Sequence, residues 1–330
     1  MSARTGKPRR LGGLIGLTLT ILLGVFVYSQ KQAIYDYSRL YNYDPPAEVV
    51  ALADVTTMTD RSRRIFYVNR PQLQDKDAFN QSCPDNGGEQ TIVLGCYQSP
   101  QAGIYLFKVT DAQLKGVEEV TAAHEMLHGA YDRLSNDERQ RIDGLLLEYY
   151  ATLQDERLKA IFEAYKKSEP NDLPTEMHSI FATEVAILPS ALEDYYKQYF
   201  QDRQKVVGFA AQYQKAFSGR KDLIASYDGQ LEVLKGKIDA AQNSLEAQGE
   251  AITAQRQQLN ALLASGNTQT YNAQVEIFNN RVQAYNAGLN QSQIQITEYN
   301  SLVEKRNAVA VETQNLAQQL NSRLQTQPAQ

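Results

Sequence analysis

Two of the three histidines in this chain lie four positions apart, in the stretch "TAAHEMLHGAYDRL". Residues with this spacing share one face of an α-helix, so His124 and His128 can direct both imidazoles at one ion. Imidazole nitrogens are zinc ligands, and a catalytic zinc site keeps one position open for water. The pattern predicts that Glu125, beside them on the helix, takes a proton from a zinc-bound water that attacks a carbonyl polarised by the metal.

The residues around the two histidines are uncharged, as a buried metal-bearing helix requires. The competing interpretation is an amphipathic helix that carries two histidines on a solvated face. The lack of charge beside the histidines argues against that interpretation. Asp132, one turn beyond His128, is expected to be a solvated carboxylate rather than a partner of the site.

A third metal ligand is expected from the later stretch "PTEMHSIFATEVAILP". It offers Glu176, Glu184 and His178, which are all competent zinc ligands. We expect Glu176 to be the third ligand, with Glu184 as its rival. If Glu184 does not bind metal, it would orient one of the histidines or pair with a basic side chain. If His178 does not bind metal, it would act in catalysis by donating a hydrogen bond to the developing oxyanion.

The motif "HEMLH", from His124 to His128, resembles the HExxH signature of the zincin metallopeptidases. The order of elements is also similar, because "GIYLFKVT" precedes the motif where the family has the edge strand that aligns the substrate peptide. Tyr131 and Leu134 stand where the metzincin branch needs glycine and histidine, and Glu176 resembles the ligand of the gluzincin branch. The resemblance covers residues 104–200 and implies a zinc-dependent hydrolase of peptide bonds.

The N-terminal region has the composition of a membrane anchor. Residues 11–28, "LGGLIGLTLTILLGVFVY", are uncharged and follow a basic tail at residues 1–10. As a helix they would rise by about 27 Å, close to the thickness of a bilayer's hydrocarbon core. We expect a transmembrane helix with a cytoplasmic N-terminus and an extracytoplasmic main domain. A cleaved signal peptide is the alternative, although the apolar run is long and lacks a clear cleavage site.

The cysteine content agrees with export. Cys83 and Cys96 are the only cysteines in the chain, and the turn-rich "PDNGG" lies between them. In an oxidising compartment we expect a disulfide between them, the alternative being two free thiols. The net charge of −5 argues against nucleic acid as a partner.

Between the anchor and residue 202, the patterns predict an α+β domain. After a linker at residues 29–43 comes a helical pattern in "PAEVVALADVTTM". The β-rich runs "RIFYVN", "TIVLGCY" and "GIYLFKVT" then predict a small sheet. Helical patterns follow from Gln113 to Phe200, and one of them begins with Ser135 and Glu138 at capping-box spacing. We therefore predict a zincin-like domain at residues 44–202.

Beyond residue 202, two arms rich in Gln, Ala and Leu repeat apolar positions at alternating steps of three and four. A short Gly-Asn turn separates the arms, which predicts an antiparallel coiled-coil hairpin at residues 203–325 and a tail at 326–330. Separate helices in a bundle, or a parallel dimer, remain alternatives. The predicted core positions are Leu231, Leu234, Ile238, Ala241, Leu245, Gln248, Ile252, Gln255, Leu259 and Leu262 in the first arm, and Tyr271, Val275, Phe278, Val282, Tyr285, Leu289, Ser292, Ile296, Tyr299 and Val303 in the second.

Two functions of different classes are compatible with these patterns. The first is a membrane-anchored extracytoplasmic zinc peptidase that acts on a peptide or protein substrate. The second is a non-catalytic envelope adaptor or scaffold, whose globular part is a degenerate or structural metal-binding module. In either case the coiled coil would support self-association or a protein partner. The intact motif favours the peptidase, because a degenerate zincin is expected to have lost Glu125 or a histidine.

Overall fold

A computed structural model describes residues 9–84 and 93–322. The chain forms two compact units, which are Met1–Tyr213 with Gln319–Gln330, and Gln214–Gln318. The α-helices of the described residues are α1 (Arg9–Ser29), α2 (Lys31–Leu40), α3 (Ala47–Val55), α4 (Asp60–Val68), α5 (Lys76–Ser82), α6 (Val117–Asp132), α7 (Asn136–Thr152), α8 (Glu156–Ser168), α9 (Leu173–Glu184), α10 (Ser190–Tyr196), α11 (Arg203–Ala264) and α12 (Thr268–Gln319). The strands are β1 (Gln72–Gln74), β2 (Gly95–Gln98) and β3 (Gly103–Phe107).

The three strands form one sheet in the order β1-β3-β2. β1 pairs with β3 in parallel, and β2 pairs with β3 antiparallel. The prediction that "GIYLFKVT" forms the edge strand is therefore wrong, because β3 lies in the centre and β2 forms the edge. Four of the five β3 residues are buried, including Ile104 and Leu106, as a strand with neighbours on both sides requires.

The run "RIFYVN" is helical, which corrects its assignment as a strand. It belongs to α4, whose N-cap residue Thr59 accepts a hydrogen bond from the Ser62 amide at 3.3 Å. Ile65, Phe66 and Val68 are buried, and their spacing fits one face of a helix. Here the helix cap and the burial on one face outweigh the β preference of the aromatic and branched side chains.

The helix that carries the histidine motif, α6, lies in the core of the first unit. It packs against α3, α4, α9, β2 and β3. Its N-cap is Gly116, whose φ of 105° is the left-handed conformation that glycine adopts readily. A Cβ atom at this position would lie 2.6 Å from the carbonyl oxygen of Phe209 on α11. Gly116 thus lets the start of the motif helix approach the α11 backbone closely.

The helices predicted after α6 are present. The Ser135 capping box with Glu138 is formed at the start of α7. α9 ends at Glu184, earlier than its apolar pattern suggests, and Val185 is extended. Arg203, at the start of α11, donates to the carbonyl oxygens of Ala182 at 3.1 Å and Val185 at 2.6 Å. These bonds satisfy carbonyl groups that the end of α9 leaves without helical partners.

The N-terminal part of the described chain consists of two consecutive helices. Every side chain from Leu17 to Tyr28 is exposed. Among the residues described here, no single helix is long and apolar enough to cross a membrane, whereas the pair Leu17–Ser29 and Lys31–Leu40, bent by 59°, meets the length and composition criteria together. The predicted linker at residues 29–43 is instead mostly α2, a helix that packs against α4.

Cys83 and Cys96 form the predicted disulfide. Most of the predicted turn between them lies outside the described residues. Cys83 also belongs to a small apolar cluster with Phe79, Val93 and Phe107. The chain that follows α12 returns to this cluster, where the hydroxyl of Ser322 donates a hydrogen bond to the carbonyl oxygen of Val93.

The second unit contains most of α11 and α12, which are joined by a short turn around Gly266. The helices are antiparallel, since Arg306 Nε lies 3.0 Å from Asp228 Oδ1 and a Cβ atom at Gly288 would lie 3.0 Å from Leu245. All ten predicted core positions of the first arm are buried or half-buried. In the second arm the prediction of Leu289 as a core position is wrong, because its side chain is 43% exposed and Gly288 occupies the inward position.

Candidate metal centre

The structure brings His124, His128 and Glu176 together, the first two from α6 and the third from α9. His124 Nε2 lies 3.4 Å from Glu176 Oε2, and His128 Nε2 lies 3.4 Å from Glu176 Oε1. The three candidate ligand atoms all lie within 4.8 Å of one another. Within the described part of the chain, this is the group of His, Cys, Asp and Glu side chains that can hold a metal ion.

The spacing and chemistry of this group fit zinc. Zinc bonds of about 2.0–2.2 Å to nitrogen and oxygen give a tetrahedron whose edges are about 3.4 Å long. Each histidine Nε2 lies at that distance from one oxygen of Glu176, His124 from Oε2 and His128 from Oε1. Glu176 Oε2 is also buried, and its contact with His124 Nε2 is long at 3.4 Å. A buried carboxylate whose contacts are long is costly unless a cation satisfies it.

Two neighbours hold the imidazole of His128 in place. Its Nδ1 lies 2.9 Å from Thr175 Oγ1, and the ring of Tyr97 stacks on it at an interplanar angle of 15°. A neutral His128 with its proton on Nδ1 donates a hydrogen bond to Thr175 Oγ1, which leaves the Nε2 lone pair free to bind a metal ion. Hydrogen bonds of this kind fix the tautomer and the ring orientation of metal-binding histidines.

The electrostatics of the three groups are strongly coupled. Burial alone would lower the pKa of His124, but the hydrogen bond and negative charge of Glu176 raise it to about 9. Burial lowers the pKa of His128 to about 4. Burial would raise the pKa of Glu176, but the two histidines and a hydrogen bond from Tyr165 lower it below its ordinary value. Glu176 is therefore an ionised carboxylate next to one charged and one neutral imidazole.

Glu125 lies against the edge strand of the sheet. Its side chain is 6% exposed and packs on Gly95, the first residue of β2. A Cβ atom at Gly95 would lie 2.6 Å from Glu125 Oε1, 2.8 Å from Glu125 Cγ and 2.5 Å from Thr121 Cγ2. Any larger residue at Gly95 would therefore displace the motif glutamate.

Gly95→Ala should slow the peptide hydrolysis expected from the HExxH motif by about 10- to 100-fold, without loss of the expected zinc, because small displacements of a catalytic group have effects of that size. The measurement is kcat together with zinc content, using the unsubstituted protein and Gly144→Ala as references. Gly144 is the matched control, since nothing lies within 4 Å of a Cβ atom built there. Unchanged kcat in Gly95→Ala would contradict the assigned position of Glu125.

A cleft of about 600 Å³ opens beside His124, His128 and Glu176. One side is formed by β2 and the disulfide, and the other by the turn between α8 and α9. Tyr97 and Ser99 both donate hydrogen bonds of 2.7 Å to Asp132 Oδ2 on the first side. Asp132 is thus a structural partner of the β2 side, which corrects its expected role as a solvated carboxylate. The side that includes the α8–α9 turn contributes Tyr165, Glu169, Asn171, Asp172, Thr175 and Glu176.

His178 is not part of this cleft. It is fully buried behind Tyr131, and its Nε2 lies 2.9 Å from the hydroxyl of Tyr195. Tyr196 donates to its backbone carbonyl at 2.8 Å. Burial lowers the pKa of His178 to about 3, so the ring is neutral. The structure places the residue in an aromatic core, away from any position where it would meet an oxyanion, and gives its predicted catalytic role no support.

Glu184 also lies outside the metal group. Its carboxylate Oε2 is 2.6 Å from Arg157 Nη2 on α8. The structure thus shows the basic partner that was the alternative to metal binding for this residue. Of the three candidate third ligands, Glu176 is the one that lies with both histidines in a group that could hold a metal ion.

Comparison with known proteins found no relative of this chain. A scan against protein-family models, a search of curated proteins and a search of solved structures each found no significant match to this chain. The resemblance to zincins in the sequence motif therefore stays a prediction.

Proposed function

We propose that this chain is a zinc-dependent peptidase with His124, His128 and Glu176 as metal ligands. The observation that carries the proposal is the pair of 3.4 Å distances from the two histidine Nε2 atoms to different oxygens of one carboxylate. A zinc ion held there would polarise the scissile carbonyl and acidify water. The chain's own side chains supply proton transfer, orientation of the ligands and exclusion of solvent.

In this proposal Glu125 is the general base. It takes a proton from the attacking water and later delivers it to the leaving amine. Its burial against Gly95 holds the carboxylate at one position beside the metal group. Tyr165 orients Glu176 by a hydrogen bond, and Thr175 orients His128. The edge strand β2 offers the peptide substrate a backbone with which to pair along the cleft.

We place the enzyme at a membrane, with its catalytic unit outside the cytoplasm. The apolar side chains from Leu17 to Tyr28 are exposed in the described part of the chain and suit a lipid environment. The basic residues of the N-terminal tail favour a cytoplasmic N-terminus. The disulfide fits an oxidising compartment on the other side of the membrane.

A second function, as an adaptor, is favoured by the surface of the hairpin. Its inward positions recur with heptad spacing, which supports an antiparallel coiled coil. Val233, Leu263 and Ile294 are each at least 60% exposed on its outer surface. Exposed apolar side chains on a long helical arm suit a protein partner or a second copy of the chain. Both functions can belong to one protein.

The test of the peptidase is metal analysis and hydrolysis with the purified full chain in detergent. We expect about one zinc per chain and hydrolysis of unfolded casein, lost with 1,10-phenanthroline and restored by added zinc. A protein that binds no zinc, or that binds zinc but cleaves no unfolded protein, would leave the adaptor as the function.

A further inference from the structure

We infer that the substrate is a polypeptide segment held close to the membrane surface. This inference rests on the proposed function and names the substrate class of the same site. It follows from the way in which α2 connects the anchor helix to the wall of the cleft.

No flexible linker separates the anchor from the globular unit. α1 ends at Ser29 and α2 begins at Lys31, so the two helices follow each other with a bend of 59°. From Ser29 to Asp36, a helix rises by only about 10 Å. The α2 backbone at Asp36 is therefore only about 10 Å from the end of α1.

α2 is fixed to the globular unit by buried polar contacts. Asp36 is 4% exposed, and its two carboxylate oxygens accept hydrogen bonds from Arg133 at 2.9 and 3.1 Å. Gln32 donates to the Gln101 side chain at 2.8 Å, and Tyr35 donates to the Gln101 carbonyl at 2.9 Å. A two-point ion pair of this kind, shielded from solvent, holds the helix in one orientation.

The same residues continue into the wall of the cleft. Arg133 directly follows Asp132, the acceptor for Tyr97 and Ser99. The backbone amide of Gln101 donates to the Tyr97 hydroxyl at 2.8 Å, and Tyr97 stacks on His128. A continuous series of contacts therefore leads from α2 to a metal-binding histidine, and the cleft cannot move away from the anchor while these contacts hold.

A cleft fixed near the bilayer selects substrates by position. A peptide tethered to the same membrane at a matching height meets the cleft at a high effective concentration, and a peptide bond held far above the bilayer does not. Membrane-proximal segments of anchored or newly exported chains fit this requirement. A distant segment of the same sequence does not.

The test uses the full chain in liposomes and a fluorogenic peptide that contains a sequence cleaved in casein. The peptide is attached to the bilayer by two acyl chains through a spacer of five or fifteen prolines, which are about 15 and 45 Å long. We expect the short-spacer peptide to be cleaved at least 10-fold faster, while the untethered peptide provides the reference rate. Equal rates for both spacers would overturn the inference.

Two insertion variants test whether the anchor sets this preference. A 60-residue Gly/Ser linker between Gln30 and Lys31, with a reach of about 40 Å, should bring the two rates together without changing hydrolysis of the untethered peptide. The same linker inserted at Gly266, in the turn between α11 and α12, should leave the preference unchanged. A preference that persists in the first variant would overturn the inference. Failure to cleave the untethered peptide would overturn the peptidase, and this inference with it.

Discussion

Glu176→Ala should lower zinc affinity by more than about 100-fold, whereas Glu184→Ala should leave it unchanged. The first variant removes the carboxylate whose two oxygens lie 3.4 Å from the two histidine nitrogens. Loss of a ligand's hydrogen-bond partner already costs about 10- to 100-fold in metal affinity, so loss of the ligand itself should cost more. Glu184→Ala removes a carboxylate that pairs with Arg157 and lies outside the group of candidate ligands.

The measurement is zinc content after dialysis, followed by competition with a chromogenic chelator. Circular dichroism of both variants shows whether the helices are retained, because Glu176 and Glu184 both lie on α9. Loss of zinc from a folded Glu184→Ala protein, with zinc retained in Glu176→Ala, would reverse the assignment of the third ligand.

Glu125→Gln should reduce kcat by about 1,000-fold and leave the zinc content unchanged. Glutamine fills the same space against Gly95 but cannot accept a proton, and general base catalysis contributes about 100- to 10,000-fold. Glu119→Gln is the matched control, because it makes the same change on the same helix at a residue that does not line the cleft. Its kcat should equal that of the unsubstituted protein.

The two variants are compared by kcat on unfolded casein and by zinc analysis of the same samples. Equal rates for Glu125→Gln and the unsubstituted protein would show that another group carries the proton. Loss of zinc together with activity would indicate that Glu125 supports the metal group instead of the reaction.

The central part of the site could be predicted from sequence because it lies on one helix. His124, Glu125 and His128 are within one turn of each other, so helical geometry alone places them together. The third ligand is different, since it depends on how α6 and α9 pack. Sequence supplied three competent candidates on α9, and only the packing shows that Glu176 faces the histidines while Glu184 meets Arg157.

The errors share a physical origin in tertiary contacts. His178 has ligand chemistry but occupies an aromatic core, where Tyr195 satisfies its Nε2. The run "RIFYVN" has β-type side chains but buries one helical face. β1 has the sequence Gln-Leu-Gln, and a strand so short and polar shows no periodic signal. In each case the local pattern was ambiguous and the surrounding structure decided it.

The supporting residues around the metal group could not be identified from sequence. Thr175 and Tyr97 contact His128, and Gly95 contacts Glu125, over separations of 30 to 47 positions. The one available signal was the position of Thr175 next to the expected ligand. For the other two, nothing in the local sequence indicates that a ring would stack on His128 or that Glu125 would pack on a glycine.

The hairpin is an insertion in the first unit rather than a tail. The chain leaves that unit after Tyr213 and re-enters it at Gln319, and Ser322 then bonds to Val93. Equal numbers of heptads can therefore be added to or removed from both arms without altering either attachment point. In evolutionary terms, the length of the arm is free to change while the first unit stays the same, so selection can act on the two units separately.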